Sequence, residues 1–340
     1  MRDLLIAGGG PIGLATALYA ARAGLDVVIR EPRTGPIDKA CGEGLMPGAV
    51  AALRDLGVRP EGRQLCGIRY LDARHTAEAA FRADFGLGVR RTVLQQALAR
   101  RVEAAGVTTE ARRVHEVLNA ADHVEVDGAP VRYVIAADGL HSRVRRALRL
   151  DRPPASSPRF GQRCHVEMEP WTSYVEVHWS AVGEAYVTPV GPRQVGVAVL
   201  SRDRRPLAEL LRGFPLLAAR IDDQVRSRPR GAGPLRQRSK QRVAGRVLLV
   251  GDAAGYIDAI TGEGIAIGMA QARAAVEAVV AGTPSRYEAA WRRIGWRHTA
   301  LTSGLVMTTR LSVVRRHIVH SASVAPSVFA AAVDQLARPA

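Results

Sequence analysis

Residues 3–31 constrain the fold more than any other stretch: they read DLLIAGGGPIGLATALYAARAGLDVVIRE. A short apolar strand, a glycine turn, a helix and a second apolar strand follow one another, which predicts a βαβ unit. The turn is Gly8-x-Gly10-x-x-Gly13, with Pro11 and Ile12 inside it. Gly8 permits the tight bend, Gly10 lets a pyrophosphate approach the backbone, and Gly13 lets the helix pack on the strand. The helix N-terminus, with free N–H groups and the positive end of the dipole, is suited to hold that phosphate. Glu31 closes the second strand, where a carboxylate accepts hydrogen bonds from both hydroxyls of an adenosine ribose. All five features agree on a dinucleotide site.

Length and composition exclude several alternatives. A chain of 340 residues with 47% hydrophobic and 24% charged residues is of ordinary globular type, with one large or two joined domains. Arg, Gly or Asp interrupts every apolar run before it reaches the ~18 residues of a spanning helix. Basic residues number 48 against 32 acidic ones, yet lysine supplies only Lys39 and Lys240. A GC-rich coding sequence produces such an arginine skew. The arginines are scattered and aromatics are 5%, so no nucleic-acid partner is expected. Cys41, Cys66 and Cys164 have no CxxC spacing, which argues against a disulfide framework or a structural zinc site, and no metal is expected. With no secretory signal in the opening run, a cytoplasmic protein is expected.

Two distant segments repeat the strand-to-loop theme. VRYVIAADGLHSRVRR, residues 131–146, is an apolar strand ending at Asp138-Gly139 and leading into a basic helix. RVLLVGDAAGYIDAITGEGIAIG, residues 246–268, is another, ending at Gly251-Asp252 before a glycine-rich helix start. The doubly wound fold puts its ligands at such junctions. With the N-terminal turn, in this order and at these separations, they resemble the flavoprotein monooxygenase superfamily typified by p-hydroxybenzoate hydroxylase, together with the geranylgeranyl reductases. The resemblance covers roughly three quarters of the chain.

That resemblance implies FAD as cofactor and NADPH or NADH as a transiently bound reductant. It implies that Asp252 binds the ribityl and pyrophosphate end of FAD, and that Asp138 belongs to the motif touching both FAD and the nicotinamide cofactor. Arg91, in VRRTVLQQAL, matches the arginine at the start of the family's flavin-adjacent helix, with Arg90 as the competing candidate. Thr261, Gly262, Glu263, Gly264 and Ile265 would bring backbone N–H groups to the pyrimidine end of the isoalloxazine, where a positive dipole stabilises the reduced anion. Cys41, Gly42, Glu43, Gly44 and Leu45 form a CGEGL loop closer to the geranylgeranyl reductases than to the phenol hydroxylases. Gly42 allows close backbone approach to the ring. Cys41 is the candidate catalytic residue: it contacts the isoalloxazine, gates the substrate, links flavin covalently, or simply fills a tight turn.

The middle of the chain shifts to short runs of period 2, as in RCHVEMEP, SYVEVHWS, EAYVTPVG and QVGVAVL, which predict an antiparallel sheet. The run LCGIRYLDARHTAEAAFRADF adds an alternating pair to that layer. His165 and His178 fall on polar strand faces and are expected to be solvated. From Tyr287 onward the pattern is helical. Arg310, Arg315, Arg316, His317 and His320 accompany Leu311, Val314 and Ile318 in a basic amphipathic stretch, read as a half-buried helix capping the FAD domain rather than a membrane contact. TPSRY, residues 283–287, is the best linker candidate.

The expected architecture is α/β, a Rossmann-type, GR2-like FAD-binding domain with an inserted antiparallel substrate sheet and a helical C-terminal tail. The FAD-binding domain comprises 1–74, 91–152 and 243–284, the substrate domain 75–90 and 153–242, and the tail 285–340. The expected function is an FAD-dependent oxidoreductase, first an NAD(P)H-using monooxygenase acting on a small apolar or aromatic substrate, as in natural-product tailoring. The alternatives are a geranylgeranyl-reductase-like enzyme, a flavoprotein maturase working on a protein partner, and a halogenase. The last lacks its WxWxIP signature. A monomer and a homodimer are both left open.

Overall fold

The computed structural model describes residues 1–340 except 83, 154–157, 223, 309–311 and 338–340; the side chains of 297, 298, 301, 308, 312 and 313 also lie outside the description. The described residues form three sheets. In the first, β17 (Val243–Ala244), β18 (Val247–Leu249), β11 (Ala129–Ala136), β1 (Arg2–Ala7), β2 (Val27–Arg30) and β8 (Thr108–Glu110) lie side by side. β18, β11, β1, β2 and β8 run parallel, while β9 (Val117–Asn119) and β10 (Val124–Val126) form a meander on β11. Leu4, Ile6, Ile29, Val134 and Ile135 are fully buried, as strands covered on both faces require.

The second sheet runs β16 (Arg230–Ala232), β12 (Phe160–Val166), β15 (Gln194–Ser201), β14 (Gly183–Gly191), β13 (Tyr174–Trp179), β5 (Gly67–Leu71), β6 (Thr76–Ala80). Its pairs are antiparallel except β13 with β5. The boundary expected at residue 74 separates β5 from β6, yet the two strands pair, so Gly67–Leu71 stands in this second sheet. A small third sheet joins β3 (Gly44–Leu45), β7 (Gly86–Gly88) and β4 (Arg63–Leu65).

Helices cover the first sheet. α1 (Pro11–Arg22) and α7 (Gly264–Val280) pack together through Ala15, Leu14, Leu18, Met269, Ala272 and Val276. Small side chains let the two backbones approach, and the larger ones fill the grooves between them. α2 (Pro47–Asp55) and α3 (Arg91–Ala104) join the same core, α3 through Leu94, Leu98 and Val102 at four-residue spacing. The short α4 (Arg143–Ala147) follows β11, with Ser142 capping it through the Arg145 N–H at 2.9 Å.

The two faces of the second sheet have different fates. Cys164, Val166, Ala185, Val187, Val197 and Val199 are sealed by α5 (Leu207–Leu211) and α6 (Pro215–Ile221). The opposite face carries Val175, Val177 and Trp179, which cluster with Val306 of α8 (Arg286–Thr308), Val319 of α9 (Ser312–Val324) and Phe329 and Val333 of α10 (Pro326–Ala337). The tail thus departs from expectation. Only α8 packs on the FAD-binding core, beside α7, whereas α9 and α10 cover β5, β6 and β13. Val319 is the buried anchor of the basic stretch, with Ile318 partly packed and Val314 more than a third exposed; Arg310 and Leu311 lie outside the described residues. The TPSRY segment is a tight turn between α7 and α8, held by the Thr283 N–H on the Ala278 carbonyl, not a linker. Among the described residues no helix is long and apolar enough to cross a membrane.

Candidate cofactor and substrate cavity

The glycine turn takes the form its spacing predicts. Gly8 has φ +113°, and a Cβ there would lie 2.6 Å from the Ala137 carbonyl oxygen. At Gly13 a Cβ would lie 1.9 Å from the Gly8 oxygen, so this glycine is fixed by packing. Gly10 differs: it precedes the first turn of α1, Pro11 occupies N1, and a Cβ on Gly10 would meet only the Arg91 guanidinium, at 3.8 Å. That open space belongs to a cavity. Glu31 is buried, accepts the Gly9 N–H at 2.9 Å and pairs with Arg33 at 2.7 Å. Burial pushes its carboxyl up, but the Arg33 and Gly9 hydrogen bonds outweigh it and hold the group below the usual value. Gly9, which the motif leaves unspecified, is equally constrained, because a Cβ would come within 2.9 Å of the Glu31 side chain.

The distant motifs converge on the same place. Pro11, Ile12, Cys41, Gly42, Arg91, Asp138, Asp252, Gly262, Gly264 and Ile265 join Gly10 on the wall of one cavity of about 710 Å³. Gly8, Gly13, Glu31 and Gly251 stand behind that wall. Gly251, at φ +57°, donates its N–H to Gln271 Oε1 at 2.9 Å and turns the chain so that Asp252 faces inward. Burial pushes the Asp252 carboxyl up, against the pull of Arg91, Lys39 and Arg145. Asp138 Oδ2 accepts the N–H groups of Arg143 and Val144 at 2.7 and 3.2 Å, while its buried Oδ1 has no partner. A buried carboxylate oxygen left free beside a cavity is what a ligand hydroxyl or amide completes. Arg91, and not Arg90, is the arginine that lines the cavity, and α7 points its N-terminus there from Gly264.

Several site residues escaped the sequence reading. Lys39 lies between Gly139, Arg91 and Asp252; burial, with Arg33 and Arg91 nearby, holds its ammonium below the ordinary lysine value. Glu43, at φ +60°, is buried with one oxygen on the Arg91 N–H at 2.9 Å and the other 2.7 Å from His165 Nε2. His165 Nδ1 sits 3.2 Å from Arg163, which has only donors, so Nδ1 accepts and the Nε2–H points to Glu43. Arg163 in turn reaches Asp38 and the Lys39 carbonyl, and Thr188 Oγ1 donates to the Gly42 carbonyl at 2.8 Å. These bonds clip the 38–44 loop, with Cys41 in it, to the second sheet. Gly196 leaves room for the clip, since a Cβ there would lie 2.9 Å from Glu43 Oε2.

His165 and His178 are therefore both buried, contrary to expectation, because each strand face that reads as polar is covered. His178 lies 3.2 Å from Glu176 on the outer face, where Trp171 and Arg69 also bind that carboxylate. The inner face supplies Ile68, Tyr70, Val175, Val177, Ala198 and Leu200 to the cavity, which Leu305 and Leu336 close from the tail. Tyr186 donates its hydroxyl to the Ile260 carbonyl at 3.0 Å, tying the sheet to the loop before α7. Registers in β5, β13 and β15 could have shown which face is apolar, but not which one faces inward. Among the described residues no cluster of three His, Cys, Asp or Glu side chains could hold a metal.

The geometry suits an extended anionic dinucleotide with an apolar compartment beyond it. A family model described as an FAD binding domain matches residues 1–215. Menaquinone reductase of Mycobacterium tuberculosis is 30% identical over 326 residues, covering 81% of this chain and 76% of the relative. Digeranylgeranylglycerophospholipid reductase 1 of Methanothermobacter thermautotrophicus is 29% identical over 324 residues, covering 86% and 80%. Among solved structures, the flavin-dependent halogenase CmlS superposes with a TM-score of 0.77 at 19% identity, over 88% of this chain and 63% of that one, a likeness of fold. The chain accordingly belongs to the FAD-binding-domain family and is an FAD-dependent oxidoreductase.

Proposed function

We propose that the protein reduces an isolated carbon–carbon double bond in a long isoprenoid chain. The observation that carries this reading is the apolar compartment between the inner face of the second sheet and the tail, walled by Ile68, Val175, Val177, Ala198, Leu200, Leu305 and Leu336. A flexible hydrocarbon gains from burial against such a wall in proportion to the area it hides from water. The two curated relatives are named for a menaquinone and a digeranylgeranylglycerophospholipid, molecules that share an isoprenoid chain. For these reasons the reductase is preferred to the monooxygenase that heads the sequence expectations.

In this reading the residues of the cavity would hold FAD. Gly10 and the α1 N-terminus, with Lys39 and Arg91, would take its diphosphate. Glu31 would take the adenosine ribose, Asp252 and the free Asp138 oxygen would bind polar groups of the cofactor, and the α7 N-terminus would meet its pyrimidine end. Bound FAD would supply two electrons, replenished by a nicotinamide nucleotide, and the double bond would take them up together with two protons. The loop clipped by Glu43 and Thr188 would hold Cys41 and Gly42 beside the flavin ring, and the apolar wall would keep bulk water from it.

The test is anaerobic incubation of FAD-loaded protein with NADPH and either menaquinone or a geranylgeranylated lipid, followed by mass spectrometry. A product whose isoprenoid chain has gained two hydrogens, which it keeps after any quinol has been reoxidised in air, supports the reductase. A product that has gained an oxygen atom, formed only in air, overturns it in favour of the monooxygenase.

A further inference from the structure

A second cavity, of about 430 Å³, lies on the far side of the Asp252 loop and shares Asp252, Tyr256 and Gly264 with the first. Its character comes from one stretch of sequence that the cofactor site does not use, RQRSKQR at 236–242. Gln237 bridges to Tyr256 and Ser239 to Asp151, which keeps this segment extended. In an extended chain alternate residues share a face. Arg236, Arg238, Lys240 and Arg242 alternate in this way, and all of them line the cavity. Arg152 joins from the neighbouring bridge and Arg292 from α8.

Like charges on one face repel, and Asp252 is the one carboxylate on the wall among the described residues. Glu288 pairs with Arg242 and Arg292, whereas Arg152, Arg236, Arg238 and Lys240 have no ion pair among the described residues. At the floor the Arg242 guanidinium stacks 3.7 Å from the centre of the Trp291 ring, and Arg242 Nε and Trp291 Nε1 are buried without a partner. Burial, with Arg292 beside it, holds Arg242 below the ordinary arginine value. Arg238 and Lys240 are exposed and donate to the main-chain carbonyls of Pro153 and Arg149, so the cluster presents positive charge at this cavity that an anionic ligand would complement.

We propose that this second cavity binds the phosphate group of a small-molecule ligand of the enzyme, with Arg236, Arg238 and Lys240 as its principal contacts. Arginine forks and an ammonium suit a phosphate ester. That chemistry has two sources, the 2′-phosphate of a nicotinamide reductant and a phosphorylated end of the isoprenoid substrate. The site is argued from charge and shape and stands whichever bond the enzyme reduces.

The experiment is calorimetric titration of the FAD-loaded protein, without turnover, with NADPH, NADH, geranylgeranyl diphosphate and inorganic pyrophosphate. The parent is compared with an Arg238→Gln/Lys240→Gln double variant, whose positions are exposed, and with Arg236→Gln. If the reductant is the ligand, NADPH binds about tenfold more tightly than NADH and both variants lose that margin. If the substrate is the ligand, NADPH and NADH bind alike while the diphosphates bind about tenfold more weakly to the variants. Either result supports the site, provided the flavin absorption spectrum is unaltered. Phosphate ligands that bind parent and both variants equally, or none at all, overturn it. Because no catalysis is measured, that failure leaves the double-bond assay untouched, and failure of that assay leaves this binding result intact.

Discussion

The two ends of the main cavity are built on different principles. The dinucleotide end is local: a turn of six residues, Gly8 to Gly13, places its own helix N-terminus, and Glu31 follows in the next strand. The substrate end is assembled from afar. Ile68, Val177, Ala198 and Leu305 meet there only because the second sheet and the tail fold onto one another. Local sites tolerate little change in backbone geometry and much in their surroundings; assembled sites behave the opposite way.

Gly13→Ala gives the largest effect in breaking this comparison. Its Cβ meets a backbone oxygen that cannot yield, so we expect a loss of more than about 3 kcal/mol and little folded protein. Gly10→Ala, three residues away, has room; it keeps the melting temperature while FAD affinity falls by about tenfold, read by flavin fluorescence. Equal destabilisation by both changes would mean that Gly10 serves packing, not a ligand.

Glu43→Ala tests the joint between the two ends. It leaves His165, Arg163 and the Arg91 N–H without their shared buried acceptor, an expected cost of about 3 kcal/mol in denaturant unfolding. A cost under about 1 kcal/mol would show that the clip does not hold the 38–44 loop. Ala198→Leu acts at the substrate end alone. FAD content should stay constant while kcat/KM for an isoprenoid substrate falls about tenfold, the scale on which a filled pocket discriminates. A parallel loss of FAD would mean that the ends are not separable.

The smallest effect is on pH dependence. Burial and repulsion from Arg33 and Arg91 lower the pKa of Lys39, so its charge, which attracts a diphosphate, is present below that value and lost as pH rises through it. FAD affinity should therefore weaken by about threefold to tenfold on the alkaline side, and Lys39→Met should flatten the profile. An alkaline decline that survives in Lys39→Met would assign the effect to another group.

How much the sequence revealed follows the same division. The βαβ unit, the turn at Gly8 to Gly13 and the place of Glu31 were legible because they lie in one motif whose spacing dictates its own geometry, whereas Asp252 and the α7 start were reached through the family resemblance. The alternating runs announced a sheet, yet not that β5 pairs parallel with β13, since a parallel partner carries no local turn signal. His165 read as solvated because a strand pattern distinguishes two faces without saying what covers them. Glu43 was invisible as an anchor for the same reason: its partners His165 and Arg91 are 122 and 48 residues away.

By itself, then, the sequence determined a βαβ unit suited to a dinucleotide, because glycines at Gly8, Gly10 and Gly13 encode backbone conformation and close approach directly. Only the tertiary structure decided that the tail roofs the apolar compartment, that one face of the second sheet looks inward, and that Arg236 to Arg242 lie against the back of the Asp252 loop. Those outcomes depend on burial between segments far apart in the chain. Hydrophobic contact has no direction, so no single segment records which partner it will meet.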